Sequence, residues 1–418
     1  MHVVVAGGGL AGLVAARHLA EAGAEVELFE QNECVGGRVR SRTVDGFTID
    51  RGFQVLFTGY PAAQRELDLD ALDLRAFAPG ATIAAPNHRS TLADPLGDPG
   101  AAVPTLLNRD VRLSDKLRLF RLQRRLKRRS VDAIFEGDDR TIREYLAAEG
   151  FSTAFVERFA EPFYGGITLD RELETSIHVF EYTFKMLSEG RTVVPAEGMG
   201  AIPAQLRTVA EAAGATVRTE TAVTDITTDD GEVTVRADDG TQAADAAVVA
   251  TDPNAAAELT DIETPDAGLG CVTVHCSLPE RQALDTGSRI LLNAADDEPN
   301  TIAPMSAAAP AYAPEGSQLL SATFLGTTDR DDAALGETVR EALAAWYPEN
   351  RFAELDVVAV DRVPFAQFAQ PPGFRADLPS PEAPDGPVVL AGDYTRWSSI
   401  QGALESGRQA AEAVLEQR

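Results

Sequence analysis

The chain has 418 residues, room for two cores at roughly 100–200 residues per domain. Its 65 acids against 37 bases give a formal charge of −28, which disfavours nucleic acid as a partner. No run of about 18 uninterrupted apolar residues occurs, so no spanning helix is expected.

The apolar N-terminus lacks a basic leader and is broken by Gly7, Gly8, Gly9 and Gly12, so it does not read as a signal peptide. The expected location is the cytoplasm. Lys116, Lys127 and Lys185 are the only lysines; every other base is arginine. An acidic, lysine-poor, alanine-rich chain points to a halophilic source, the alternative being a GC-rich genome with an acidic surface. Cys34, Cys271 and Cys276 form no CxxC pair and are expected to be reduced and structural. The five histidines lack ligand spacing, so no metal site is expected.

In chain order, residues 2–6 read as a buried strand, 10–22 as a helix with Leu10, Leu13, Ala16 and Leu19 on one face, and 25–30 as a second strand. Short strands and Pro-rich turns are expected over 81–99, and helices from about 110 to 190. A turn with Gly198 and Gly200 precedes a helix over 201–213, then strands near 215–219, 222–228, 232–237 and 246–250. Residues 268–370 read as mainly β, with strands near 271–278, 288–293, 317–325 and 356–364 and a helix over 332–346. A Pro-rich connector (371–387) leads to a strand at 388–393 and a helix at 399–416.

Gly7, Gly9 and Gly12 fit GxGxxG between strand and helix. The first permits the turn, the second lets backbone approach a pyrophosphate, and the third lets helix and strand pack closely. The helix N-terminus at Leu10 and Ala11 adds N–H groups and positive partial charge. Glu30 ends the second strand, at the offset where an acid meets ribose hydroxyls, with Gln31 beside it. Gly36, Gly37 and Arg38 follow; a guanidinium fork suits phosphate oxygens.

GxGxxG, an acid and then GGR resembles the superfamily of FAD-dependent amine oxidases, protoporphyrinogen oxidases and carotenoid (phytoene) desaturases. The resemblance continues in DRGFQVLFTGYPAAQREL (50–67), PAEGMGAIPAQL (195–206), VVATDP (248–253) and AGDYTRWSSIQGALESGRQAA (391–411). The wording AGDYT and GFQVLFTGYP lies nearest the desaturase-like members. It implies an α/β fold: a Rossmann-like FAD-binding domain assembled from residues 1–75, 190–255 and 386–418, plus a discontinuous α+β substrate domain (76–189 and 256–385) with a helical cap over about 100–189. It implies non-covalent FAD, because no cysteine lies in the C-terminal segment where some members attach flavin. It places Gly52, Phe53 and Gln54 beside the ring, Val223 near the adenine, and Thr251 on the returning strand. Gly392, Asp393, Ser399 and Ile400 would close over the flavin, Asp393 accepting from the ribityl chain and Ile400 presenting its N–H to the pyrimidine edge. Gln54 and Tyr394 are the polar catalytic candidates.

No second GxGxxG and no redox cysteine pair occur, so neither a separate NAD(P)H domain nor disulfide reduction is expected. Amine oxidases usually hold a lysine near the flavin in the second inserted block, and no lysine follows Lys185. The expected reaction is therefore dehydrogenation of an apolar, isoprenoid or carotenoid-like molecule. The alternatives are amine or protoporphyrinogen oxidation by dioxygen, and a flavin-bound structural or assembly protein. Phe151, Phe155, Phe159, Phe163, Tyr164, Phe180, Tyr182 and Phe184 read mostly as cap core, with a few able to line a substrate tunnel.

The segment 109–129 is strongly basic and carries two nearly opposite apolar stripes: Leu113, Leu117 and Phe120, and Leu119, Leu122 and Leu126. One stripe suffices to dock a helix. The second set, flanked by arginines, is expected to rest on the inner face of a membrane and receive a lipophilic substrate; the alternative is an ordinary cap helix with its charges solvated or paired to acids elsewhere.

Overall fold

The computed structural model describes residues 1–93, 105, 108, 110–229, 231–384 and 386–417. Arg109 and most of 94–107 lie outside them, and with them parts of the expected 81–99 strand region and of the basic segment.

His2–Ala6 places Val3, Val4 and Val5 wholly out of solvent, as a strand covered on both faces requires. It lies at the centre of a five-stranded parallel sheet. The spatial order is Thr216–Arg218, Glu25–Phe29, His2–Ala6, Ala246–Val249, Val388–Leu390. Three distant stretches of chain thus build one sheet. Leu10–Glu21 packs on it against Ile400–Glu416, so closely that a Cβ on Gly407 would collide with the Ala11 carbonyl.

A second, seven-stranded sheet runs Asp356–Phe368, Gly268–Pro279, Ser317–Leu325, Thr301–Ala303, Ile290–Asn293, Ala81–Ala85, His88–Leu92. Its pairs are antiparallel except that between Ile290–Asn293 and Ala81–Ala85. Asp332–Trp346 covers it, sinking Leu335, Val339, Leu343 and Trp346 against Val272, Val274, Leu320 and Phe324. The Asp331 carboxylate caps that helix by accepting from the Ala334 N–H. The two domains meet at Asp50, a buried carboxylate that accepts from Ser41 Oγ, from the Met199 N–H (2.9 Å) and from the Tyr312 hydroxyl (2.8 Å). Burial pushes this carboxyl above its usual range against the pull of those donors.

The helical cap corrects the expected orientation of the basic helix, Leu113–Leu126. Leu122 and Leu126 are 3% and 0% exposed, and Leu119 packs on the same core. Leu113, Leu117 and Phe120 are 61%, 51% and 42% exposed. The outward stripe is therefore the one expected to dock. Polar contacts decide this. Asp115 on the inner face accepts from the Ser152 N–H (3.0 Å) and Oγ (2.6 Å). Arg125 pairs with Glu149 (3.0 Å), and Arg129 with buried Glu181. Lys185 Nζ donates to the Leu126 carbonyl (3.3 Å), at the helix end where a cation is favoured.

Of the eight clustered aromatics, Phe151, Phe155, Phe180 and Tyr182 are interior packing, whereas Phe159, Phe163, Tyr164 and Phe184 also line the large cavity described next. Cys34 corrects the expectation of three structural cysteines: it is exposed, while Cys271 and Cys276 are buried.

Candidate cofactor and substrate cavity

One cavity of about 1970 Å³ lies between the two sheets and the cap. Its lining brings together Gly7, Gly9, Leu10, Ala11, Glu30, Gln31, Gly37, Arg38, Gly52, Phe53 and Gln54 from the first segment. Val223 and Thr251 join from the middle segment, and Gly392, Asp393, Ser399 and Ile400 from the last. Gly12 and Tyr394 are the two expected residues that do not line it.

The glycine turn has a steric logic. Gly7 sits at φ +108°, and a Cβ there would lie 2.5 Å from the Ala250 carbonyl oxygen. A Cβ on Gly12 would strike the Gly7 carbonyl, so Gly12 serves the helix–strand contact rather than the cavity. Gly9 differs from both. Its backbone is extended (φ −71°, ψ −179°), and a Cβ there would meet nothing within 4 Å. The space it leaves belongs to the cavity.

Glu30 is 5% exposed. Its Oε2 accepts from the Gly8 N–H (2.9 Å) and its Oε1 from the Asn32 N–H (2.9 Å), so the acid also holds the turn it faces. Further along the lining, Arg38 donates to Asp393 Oδ1 (2.6 Å) and to the Ala366 carbonyl (3.0 Å). Burial alone would lower the Arg38 guanidinium, but the Asp393 charge and hydrogen bond, with Asp252 farther off, outweigh it and hold it above the usual range. Ser398 Oγ donates to Asp393 Oδ2 (3.1 Å). Ser399 caps Ile400–Glu416 by accepting from the Gly402 N–H, which aims that helix N-terminus at the cavity.

Gln54 donates through Nε2 to the Arg38 carbonyl (3.0 Å), and its Oε1 is buried without a partner. Tyr394 corrects the other catalytic expectation. It is fully buried behind Gly392, and its hydroxyl donates to the Val249 carbonyl (3.2 Å) in the parallel sheet. It is packing, not a group facing a reactant.

Sequence reasoning missed Cys271, Thr168, Phe365 and Gln367 in the lining. They arrive through pairing of Gly268–Pro279 with Asp356–Phe368 and through the cap, with no local motif to announce them. Burial, with Asp361 adding to it, pushes the Cys271 thiol up to about 11.

The acids of the lining are Glu30, Asp252, Glu258 and Asp393; Glu258 sits on the helix Pro253–Thr260 that follows the parallel-sheet strand Ala246–Val249, past the domain boundary expected at residue 255. Among the described residues, the cap and the second sheet contribute no acid and one base, Lys116. Lys116 Nζ is committed to the Thr105 (2.7 Å) and Asn108 (2.8 Å) carbonyls.

A carotenoid 3,4-desaturase of Haloarcula japonica is 56% identical over 50 residues, 12% of this chain and 10% of that protein. A 4,4'-diapolycopene oxygenase of Methylomonas is 48% identical over 66 residues, 14% of this chain and 13% of that protein. These matches span little more than a tenth of the relatives' length. Among solved structures, an oxidoreductase from Methanosarcina mazei superposes with a TM-score of 0.76 at 20% identity, covering 99% of this chain and 100% of that one. A putrescine oxidase bound to putrescine gives 0.71 at 16% identity, covering 100% and 99%. At such identities the likeness is one of fold. The profile of the family described as flavin containing amine oxidoreductase matches residues 10–415, nearly the whole chain, and the chain belongs to that family.

Proposed function

We propose that this protein is an FAD-dependent dehydrogenase of an apolar, isoprenoid or carotenoid-like molecule. The observation that carries the reading is the acid-free wall of the cavity. A cationic amine entering the described part of the cap and second sheet meets no carboxylate, and an unpaired buried charge is costly. A polyene meets Leu117, Phe159, Phe163, Ile167 and Phe184. The partial relatives named as carotenoid desaturase and diapolycopene oxygenase support the same substrate class.

The residues present fit FAD. The space beside Gly9 suits a pyrophosphate, and the unpartnered Gln54 Oε1 is an acceptor awaiting a donor. Glu30 would hold the ribose, Gly9, Gly37 and Arg38 the phosphates, Asp393 the ribityl chain, and Ile400 the pyrimidine edge. When bound, FAD would supply the acceptor for a hydride leaving C–H, the accompanying proton passing to a base or to solvent at the cavity mouth. The chain's part is to orient the substrate and keep water from it, which the apolar wall does. The non-covalent reading is supported by Cys271, the one cysteine in the lining, whose buried thiol stays protonated at neutral pH and is a poor nucleophile.

Anaerobic titration tests the function. An acyclic carotenoid in detergent is expected to bleach the flavin absorbance and putrescine to leave it; bleaching by the amine alone would overturn the reading. Acid precipitation is expected to release all the yellow colour into the supernatant, and colour held in the pellet would refute non-covalent binding.

The charge supports a halophilic source. Self-repulsion of a −28 chain is screened as the Debye length falls to about 3 Å at 1 M salt. The melting temperature is expected to climb steadily from low to molar salt; a flat profile removes this reading.

A further inference from the structure

We propose that the outer face of Leu113–Leu126 docks on a lipid bilayer carrying anionic headgroups, and that the cavity opens against that surface. Leu113, Leu117 and Phe120 are the only exposed large apolar side chains among the described residues, and all three sit on this one helix at i, i+4 and i+7. The same three line the cavity. Side chains that line a cavity and face solvent together form its rim. An apolar rim is a costly surface in water and a matched one in a bilayer.

Charge complementarity selects the occupant. The bases of this helix and of the turn after it split by partner. Arg118, Arg125 and Arg129 pair with Asp115, Glu149 and Glu181, although Arg125 also borders the outer depression described next. Arg121, Arg124 and Arg128 are exposed and have no acid partner among the described residues, in a chain with 28 more acids than bases. They border a shallow depression whose other walls include Leu117 and Phe120. A row of cations beside an apolar stripe matches phosphate headgroups above acyl chains. The acidic remainder of the molecule is repelled by such a surface, but only groups within the Debye length of the contact count, about 8 Å at 0.15 M salt and about 3 Å at 1 M, where the apolar rim supplies most of the binding. Docking stands independently of the flavin chemistry; only its use, passing an apolar substrate without transit through water, rests on the function proposed above.

The test is flotation of the flavin-loaded protein with vesicles of phosphatidylcholine and phosphatidylglycerol, and with phosphatidylcholine alone, at the lowest salt that keeps it folded. Wild type is expected to float with the anionic vesicles and much less with the neutral ones. Each arginine near an anionic surface contributes a factor of about five, so Arg121→Glu with Arg124→Glu and Arg128→Glu should weaken partitioning by roughly 100-fold or more. Leu117→Asp with Phe120→Asp should also abolish flotation. All five positions are exposed, and flavin content with melting temperature reports folding in each variant; Arg→Gln versions give a milder second series. Failure of wild type to float, or equal flotation of the variants, overturns the proposal. So does a wild-type dimer in sedimentation velocity that the Leu117/Phe120 variant dissociates without any vesicle binding, which would assign the face to a second copy. Flavin reduction by a carotenoid in detergent is read separately, so either proposal can fall alone.

Discussion

Gly9→Val is expected to yield a folded, colourless protein. The extended backbone at Gly9 (φ −71°, ψ −179°) is one a β-branched residue adopts readily, and its Cβ would touch no protein atom within 4 Å. Folding should therefore be nearly unaffected. The added methyls enter cavity space between Gly9 and Gly37, whose own Cβ position lies 3.6 Å from the Gly9 Cα. A pyrophosphate there would be pushed off the helix N-terminus. Losing two charge-assisted hydrogen bonds costs on the order of 4 kcal/mol, about a thousandfold in affinity. Gly7→Ala is the contrast: at φ +108° and against the Ala250 carbonyl it should lose folding as well as colour. Purified Gly9→Val with full flavin content would refute the placement of the pyrophosphate.

Asp393→Ala is expected to loosen FAD by about 1.5–3 kcal/mol, roughly ten- to hundredfold. The carboxylate is 3% exposed and already held by Arg38 and Ser398. It would therefore meet a ribityl hydroxyl without further ordering. Asp393→Asn keeps an acceptor but loses the ion pair with Arg38, and should fall between the two. Glu30→Ala should weaken binding by a similar amount at the other end of the cofactor. It also removes the acceptor of the Gly8 and Asn32 N–H groups, and Asp393→Ala leaves the Arg38 guanidinium without its carboxylate, so the flavin-free protein should melt lower in both variants. Titration of flavin-stripped protein with FAD, followed by quenching of flavin fluorescence, measures both. Unchanged dissociation constants in both variants would mean that the ribose and ribityl assignments are wrong.

The opening strand, helix and strand were legible in the sequence because that unit is local. A continuous apolar run, three glycines and one acid within thirty positions already define the strand, the turn and the helix after it. The C-terminal segment was legible for the same reason, its cap and helix being written in consecutive residues. Tyr394 was not. A tyrosine next to Asp393 can face either side of its turn, and packing behind Gly392 with the Val249 carbonyl as acceptor turned it into the sheet.

The basic helix makes the same point more strongly. Its periodicity offers two apolar stripes of similar hydrophobicity on nearly opposite sides, so nothing within the helix chooses between them. The choice was made by Ser152, Glu149, Glu181 and Lys185, which are distant in sequence and meet it only after the cap folds. Local sequence determined that a helix forms and that both faces are amphipathic. Which face is buried depends on buried polar partners, whose cost if left unpaired exceeds any difference between two leucine stripes, and those partners are brought to the helix only by tertiary structure.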